Sequence, residues 1–119
     1  MKTVYFAKAM YFSALVMFAA AFMGQPAEAA SPSFECSSSH YAAERAICDS
    51  WRLSRLDRRL DYWYGKALQR ASYFDSIGWL RSAQRAWLRD RNSCGYSRRC
   101  LRIEYRSRIR ALRRYASHV

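Results

Sequence analysis

Four cysteines, Cys36, Cys48, Cys94 and Cys100, have the widest chemical repertoire in this chain. A thiolate can attack carbon, ligate zinc or pair with a second sulfur. Zinc is disfavoured by spacing, because no Cys-x2-Cys pair occurs and His40 and His118 are far apart in the chain. Neither histidine has an acid or nucleophile pattern beside it. A Gly-rich phosphate loop and a His-Glu-x-x-His motif are both missing, so no catalytic residue, metal or cofactor is expected. Oxidation to two disulfides is the reading that remains. Of the three possible connectivities, Cys36–Cys48 with Cys94–Cys100 is favoured, because each pair is close in sequence and joins neighbouring elements. Loop-closure entropy assigns each bridge about 2–3 kcal/mol.

A second group consists of polar residues set among apolar ones at helical spacing. Asp57 adjoins Leu56 and Leu60, Gln84 and Arg91 flank Trp87, and Arg108 sits beside Tyr105 and Ile109. A charge near a core face must be paired and hydrogen-bonded, or it costs several kcal/mol. Asp57 is therefore predicted to pair with Arg91 or Arg108 between helices, with Gln84 and Glu44 completing the network. Two readings stay open: an ion pair that sets helix register, or a polar pocket for a ligand or partner.

The third group is cationic and aromatic. Arg98, Arg99, Arg102, Arg106, Arg110, Arg113 and Arg114 form a dense array near the C-terminus, mostly off the apolar positions, and Arg52, Arg55, Arg58 and Arg59 form another. Such arrays are either solvated helix surface or a contact face for an anionic polymer or an acidic protein. Trp87 falls on a core position. Trp51 and Trp79 lie near helix starts and are the candidates for exposed anchors.

The elements that hold these groups begin after an export signal. Residues 1–8 carry Lys2 and Lys8, residues 9–23 are an uncharged run of 15, and Ala27-Glu28-Ala29 has the small-x-small pattern of a cleavage site. Cleavage after Ala29 is expected, since a membrane span wants about 20 apolar residues. The expected domains are thus a signal peptide over 1–29 and one helical domain over 30–119, periplasmic or secreted, with no span after cleavage. Removing Lys2, Lys8 and Glu28 from the chain's 21 basic and 9 acidic residues leaves 19 and 8, a net charge of +11. Eighteen of those 19 are arginine, which a biased codon usage produces equally well. Genomic nucleic acid is not an expected partner of an exported protein, although its phosphates would demand the same chemistry.

From Tyr41 onward the chain lacks proline, and β-branched residues are scarce, so the domain reads as all-α. A short helix is predicted over 40–48 with Ser39 as N-cap. A longer one follows Asp49-Ser50 to about residue 72, with Leu53, Leu56, Leu60, Trp63, Tyr64, Ala67 and Ala71 on its apolar face. Gly65 interrupts it at a penalty of about 1 kcal/mol relative to alanine. Asp75-Ser76 signals a third helix, carrying Leu80, Ala83, Trp87 and Cys94 and closing at Gly95. Ser97 opens a fourth, with Leu101, Tyr105, Ile109 and Leu112 inward. The short connections imply a small antiparallel three-helix bundle, with the short N-terminal helix tied on by Cys36–Cys48.

Several of these residues recur as one constellation. It runs Cys36, Glu44-x-Ala46-Ile47-Cys48, Leu56-Asp57-x-x-Leu60, Tyr64, Gln84-Arg85-x-Trp87-x-x-x-Arg91-x-x-Cys94, and Cys100-x-x-x-x-Tyr105-x-x-Arg108-x-x-x-Leu112. This pattern resembles the LprI-type lysozyme-inhibitor domain family of small bacterial envelope proteins, from about Phe34 to Leu112. The resemblance implies a helical domain, export and inhibition of lysozyme. The expected partner is accordingly a protein, such as a lysozyme-like enzyme whose site is occluded. The alternative is a structural or adaptor protein whose arginine faces hold anionic wall polymer, lipid headgroups or an acidic protein.

Overall fold

The computed structural model describes residues 31–118, and the predicted signal peptide lies outside the described residues. Four α-helices follow a single 3₁₀ turn at Cys36–Ser38: α1 Ala42–Cys48, α2 Trp51–Tyr73, α3 Ile77–Ser93 and α4 Arg98–Ser117. The domain is all-α, a bundle of three long helices with a short helix at its N-terminal end.

Each helix buries the stripe that its three-and-four spacing prescribes. On α4, Leu101, Tyr105, Ile109 and Leu112 are all buried. Leu53, Leu60, Ala67 and Ala71 of α2 and Leu80 and Trp87 of α3 meet them. Leu56, Trp63 and Tyr64 lie at the edge of the stripe and are partly buried. Ala43, Ala46 and Ile47 of α1 are fully buried, and the two alanines let this short helix approach α2 closely. The turn between α1 and α2 is fastened by buried Ser54, whose hydroxyl donates to the Ile47 carbonyl at 2.8 Å.

Side-chain contacts give the helix directions. Going up α2, Asp57 bonds Tyr105, Trp63 meets Arg113 and Arg70 meets Tyr115, so α2 and α4 run parallel. Going up α3, Trp79 meets Tyr115, Gln84 bonds Arg108 and Trp87 meets Tyr105, so α3 runs antiparallel to α4.

Two helix starts differ from expectation. Helix α1 begins at Ala42 rather than His40, because Ser39 belongs to the end of the 3₁₀ turn, its amide and hydroxyl both donating to the Cys36 carbonyl, and the N-cap position falls to Tyr41. Glu44 caps the helix instead, accepting from the His40 and Tyr41 amides at 2.9 and 3.3 Å. Ser76 does occupy the N-cap position of α3, but its hydroxyl bonds the Tyr115 hydroxyl at 2.8 Å rather than an α3 amide. The caps of α2 and α4 are as expected: Ser50 accepts from Leu53, and Ser97 accepts from Cys100. At the end of α3 the chain reverses through Gly95 at φ +56°, a left-handed conformation that glycine adopts without a Cβ clash.

Candidate functional site

The cysteines form Cys36–Cys48 and Cys94–Cys100, with Cα atoms 5.9 and 5.6 Å apart. The first bridge ties the N-terminal segment to the end of α1. The second clamps the turn between α3 and α4. No cysteine is free among the described residues.

The polar residues converge, though not as the predicted ion pair. Asp57 lies buried on α2, and its carboxylate is taken by three neutral donors. The Ser33 amide and hydroxyl donate to Oδ2 at 2.7 and 2.6 Å, and the Tyr105 hydroxyl donates to Oδ1 at 2.7 Å. Arg91 does not pair with Asp57. Its Nη2 lies 3.5 Å from Glu44 Oε1, its Nε and Nη2 also donate to Asn92 Oδ1, and its Nη1 donates to the Tyr105 hydroxyl at 3.5 Å. Tyr105 thus stands between acid and base and bonds both. Arg108 is directed elsewhere too, with its Nε donating to Gln84 Oε1 at 3.0 Å.

Burial, and then the Asp57 carboxylate, push the Tyr105 phenol well above its ordinary range. Burial likewise holds the Arg108 guanidinium below the usual arginine value. Such a centre has a saturated carboxylate and a phenol held neutral. It fastens five segments together: the N-terminal strap, α1, α2, α3 and α4. It borders a cleft of about 550 Å³ that also includes Asp61, Tyr64 and Leu88. Trp87 Nε1 and Arg108 Nη2 are buried donors without a hydrogen-bond partner among the described residues.

A different arrangement faces solvent between the N-terminal halves of α2 and α4. Trp51, Arg52, Arg55, Leu56, Arg59, Arg102 and Arg106 line a groove of about 460 Å³. Trp51 is 53% exposed, with the guanidinium groups of Arg52 and Arg55 at 5.3 and 5.6 Å from its ring. No carboxylate lines the groove, and the Arg91–Glu44 contact is the ion pair found among the described residues. Five guanidinium groups, three from α2 and two from α4, are thereby gathered along one groove with no carboxylate in its lining. Parallel α2 and α4 bring this about, since arginines at one-turn intervals on two parallel helices fall into facing rows.

The remaining predicted surface residues are distributed around the bundle. Arg98 lies over the Tyr96 ring at 6.0 Å, and Arg99 borders a small depression with Ile103 and Glu104. Arg110 and Arg113 belong to the far end of α4, with Arg114 and His118. Trp79 is 62% exposed and sits at that same end against Tyr115. The two expected arginine arrays are thus divided among several faces, with members of both sharing the α2/α4 groove. Among the described residues, no group of three or more His, Cys, Asp or Glu side chains could hold a metal ion.

Sequence reasoning missed Ser33, Asn92 and the Tyr105 hydroxyl. Tyr105 was legible in principle, because a buried tyrosine hydroxyl needs a partner. Ser33 carried no signal, being one of many serines in a segment without periodicity. With the geometry in hand, comparison with known proteins adds no constraint: no protein-family model, curated protein or solved structure matches this chain.

Proposed function

We propose that this protein is an exported, non-catalytic binding protein of the cell envelope that holds an anionic polymer in the α2/α4 groove. One observation carries the reading: exposed Trp51 and five arginines line a groove that no carboxylate neutralises. Five like charges repel one another, and a row of phosphates or carboxylates relieves that repulsion while releasing the polymer's counterions. The disulfides fit an oxidising compartment, which is where wall polymers are found.

The test is titration of the oxidised protein with polyphosphate chains at increasing salt. Binding should weaken steeply with salt, and Arg59→Gln with Arg102→Gln and Arg106→Gln should flatten that dependence. Salt-insensitive binding, or a salt dependence unchanged by the triple variant, would overturn the reading.

Occlusion of a wall-degrading enzyme, which the LprI-type resemblance implies, is the second reading. It is favoured by Trp51 and Trp79, whose exposure of 53% and 62% suits them to act as anchors in a partner's cleft. The resembling residues Glu44, Asp57, Gln84 and Arg91 sit at the polar centre and support a fold more than a contact surface. A cationic enzyme would also meet like charge on this protein. Unchanged wall lysis by lysozyme at high protein excess would eliminate inhibition.

A further inference from the structure

The end of the bundle opposite α1 carries an aromatic cluster that no other described residue covers. Helix α2 ends at Tyr73, Phe74 follows, and Asp75 takes a left-handed conformation at φ +50°. The Phe74 and Ser76 amides both fold back onto the Ala71 carbonyl, so the chain reverses tightly into α3. Tyr73, Phe74 and Trp79 are left 85%, 64% and 62% exposed. Tyr115 of α4 ties the cluster together, stacking against Trp79 at 5.8 Å and bonding the Ser76 hydroxyl.

Arginines border this tip. Arg70 lies over both Phe74 and Tyr115, at 5.0 and 5.9 Å. The parallel run of α2 and α4 brings the C-terminal turn of α4, with Arg114 and His118, toward this end, while Arg113 lies lower, over Trp63. The acidic residue of the turn is Asp75.

We propose that this tip docks on a lipid bilayer bearing anionic headgroups, with Phe74, Trp79 and Tyr73 entering the interface and the arginines meeting phosphate. Tyrosine and tryptophan favour the boundary between headgroup and hydrocarbon, and flanking basic residues add attraction to an anionic leaflet. Neither signal suffices alone, and a peripheral anchor combines them. The association is peripheral, because no described helix is long and apolar enough to cross a membrane. A second copy of the chain does not fit this tip, since it would bring arginine against arginine. Side chains this exposed project outward, which suits a deformable interface better than the preformed pocket that a rigid partner must supply. The site lies at the other end of α2 and α4 from the polymer groove and stands independently of it.

The experiment is co-sedimentation of the oxidised full chain with phosphatidylglycerol/phosphatidylcholine vesicles and with pure phosphatidylcholine vesicles. Wild type and variants share residues 1–30, so a difference in binding between them reports on the tip. Binding should be at least ten-fold tighter to the anionic vesicles, and Phe74→Ser with Trp79→Ser should reduce it at least five-fold. The groove variant Arg59→Gln, Arg102→Gln, Arg106→Gln should lose less than the tip variant. Brominated lipid should quench tryptophan emission in wild type, and Trp79→Phe should remove most of that quenching.

Vesicle binding that survives the tip variant, or quenching that survives Trp79→Phe, overturns the proposal. So does binding of soluble poly-glutamate through the same tip residues with no vesicle binding, which would mark an acidic protein as the partner. Polyphosphate binding in the tip variant reports on the groove separately, so the two readings fail independently. The substituted side chains are exposed, and circular dichroism verifies that the variants remain folded.

Discussion

The Tyr105 hydroxyl lies 2.7 Å from Asp57 Oδ1, and this bond joins α4 to α2 at the buried centre of the bundle. The same hydroxyl accepts from Arg91, so aspartate and arginine are coupled through a phenol rather than by direct contact. Tyr105→Phe removes one donor from a buried carboxylate and one acceptor from a buried guanidinium. A loss of about 1–3 kcal/mol is expected from denaturant unfolding. A double-mutant cycle on Asp57 and Arg91 should show coupling in wild type, and that coupling should fall toward zero in the Tyr105→Phe background. Coupling that persists there would argue for a direct Asp57–Arg91 interaction.

The same phenol sets a high-pH limit. Its ionisation is pushed upward in the folded state, first by burial and then by Asp57. The unfolded chain ionises this tyrosine near pH ~10. Stability attached to the group is therefore whole below that range, begins to fall there and is lost as pH rises toward the raised folded-state value. Tyr105→Phe should flatten the decline above pH ~10 relative to wild type. In phenolate absorbance titrations one tyrosine should resist ionisation until the protein unfolds.

The disulfides should differ in their reach. Each closes a short loop and is expected to contribute about 2–3 kcal/mol. Cys36–Cys48 also secures the segment that carries Ser33, which supplies two of the three hydrogen bonds to Asp57. Replacing Cys36 and Cys48 with serine should therefore expose the residue 31–35 strap to proteolysis. Replacing Cys94 and Cys100 should leave that strap protected. Equal proteolysis in the two variants would contradict the division of roles.

Gly65 is an exposed mid-helix glycine in α2 with nothing within 4 Å of a Cβ placed there. Gly65→Ala should raise stability by about 0.5–1 kcal/mol, read as a shift in the denaturation midpoint. Gly95→Ala should do the opposite, since φ is +56° at that position. The pair makes an internally controlled test of backbone conformation.

Groove arginines should act on polymer binding one charge at a time. Each of Arg59, Arg102 and Arg106 replaced by glutamine should reduce the slope of log affinity against log salt by about one. Trp51→Ala should weaken binding while leaving the slope almost unchanged, because an uncharged side chain releases no counterion.

Much of the fold was legible from the chain. The apolar positions of α4 recur at three and four residues, and all four of those predicted inward are buried. Ser50 and Ser97 mark the two helix starts they cap, and Gly95 marks an end. Ser39 misled because its backbone closes the 3₁₀ turn at Cys36–Ser38, which puts it two residues before the N-cap position of α1.

Helix placement and disulfide pairing follow from spacing, because periodicity, capping and loop closure act over a few residues at a time. That Glu44, Asp57, Gln84 and Arg91 would gather was also readable, since buried polar groups require company, whereas Arg108 bonds Gln84 to one side of them. Who bonds whom was decided only in three dimensions. Asp57 takes donors from Ser33, 24 residues before it, and from Tyr105, 48 residues after it. No local rule ranks those two above an arginine, because the choice depends on which side chain the packed helices bring within 3 Å. The same holds for the surface. The arginines were visible as a count and a period, but parallel packing of α2 and α4 made some of them walls of a groove. It carried others to the aromatic tip, because a helix's neighbour, not its own sequence, determines what its exposed rows face.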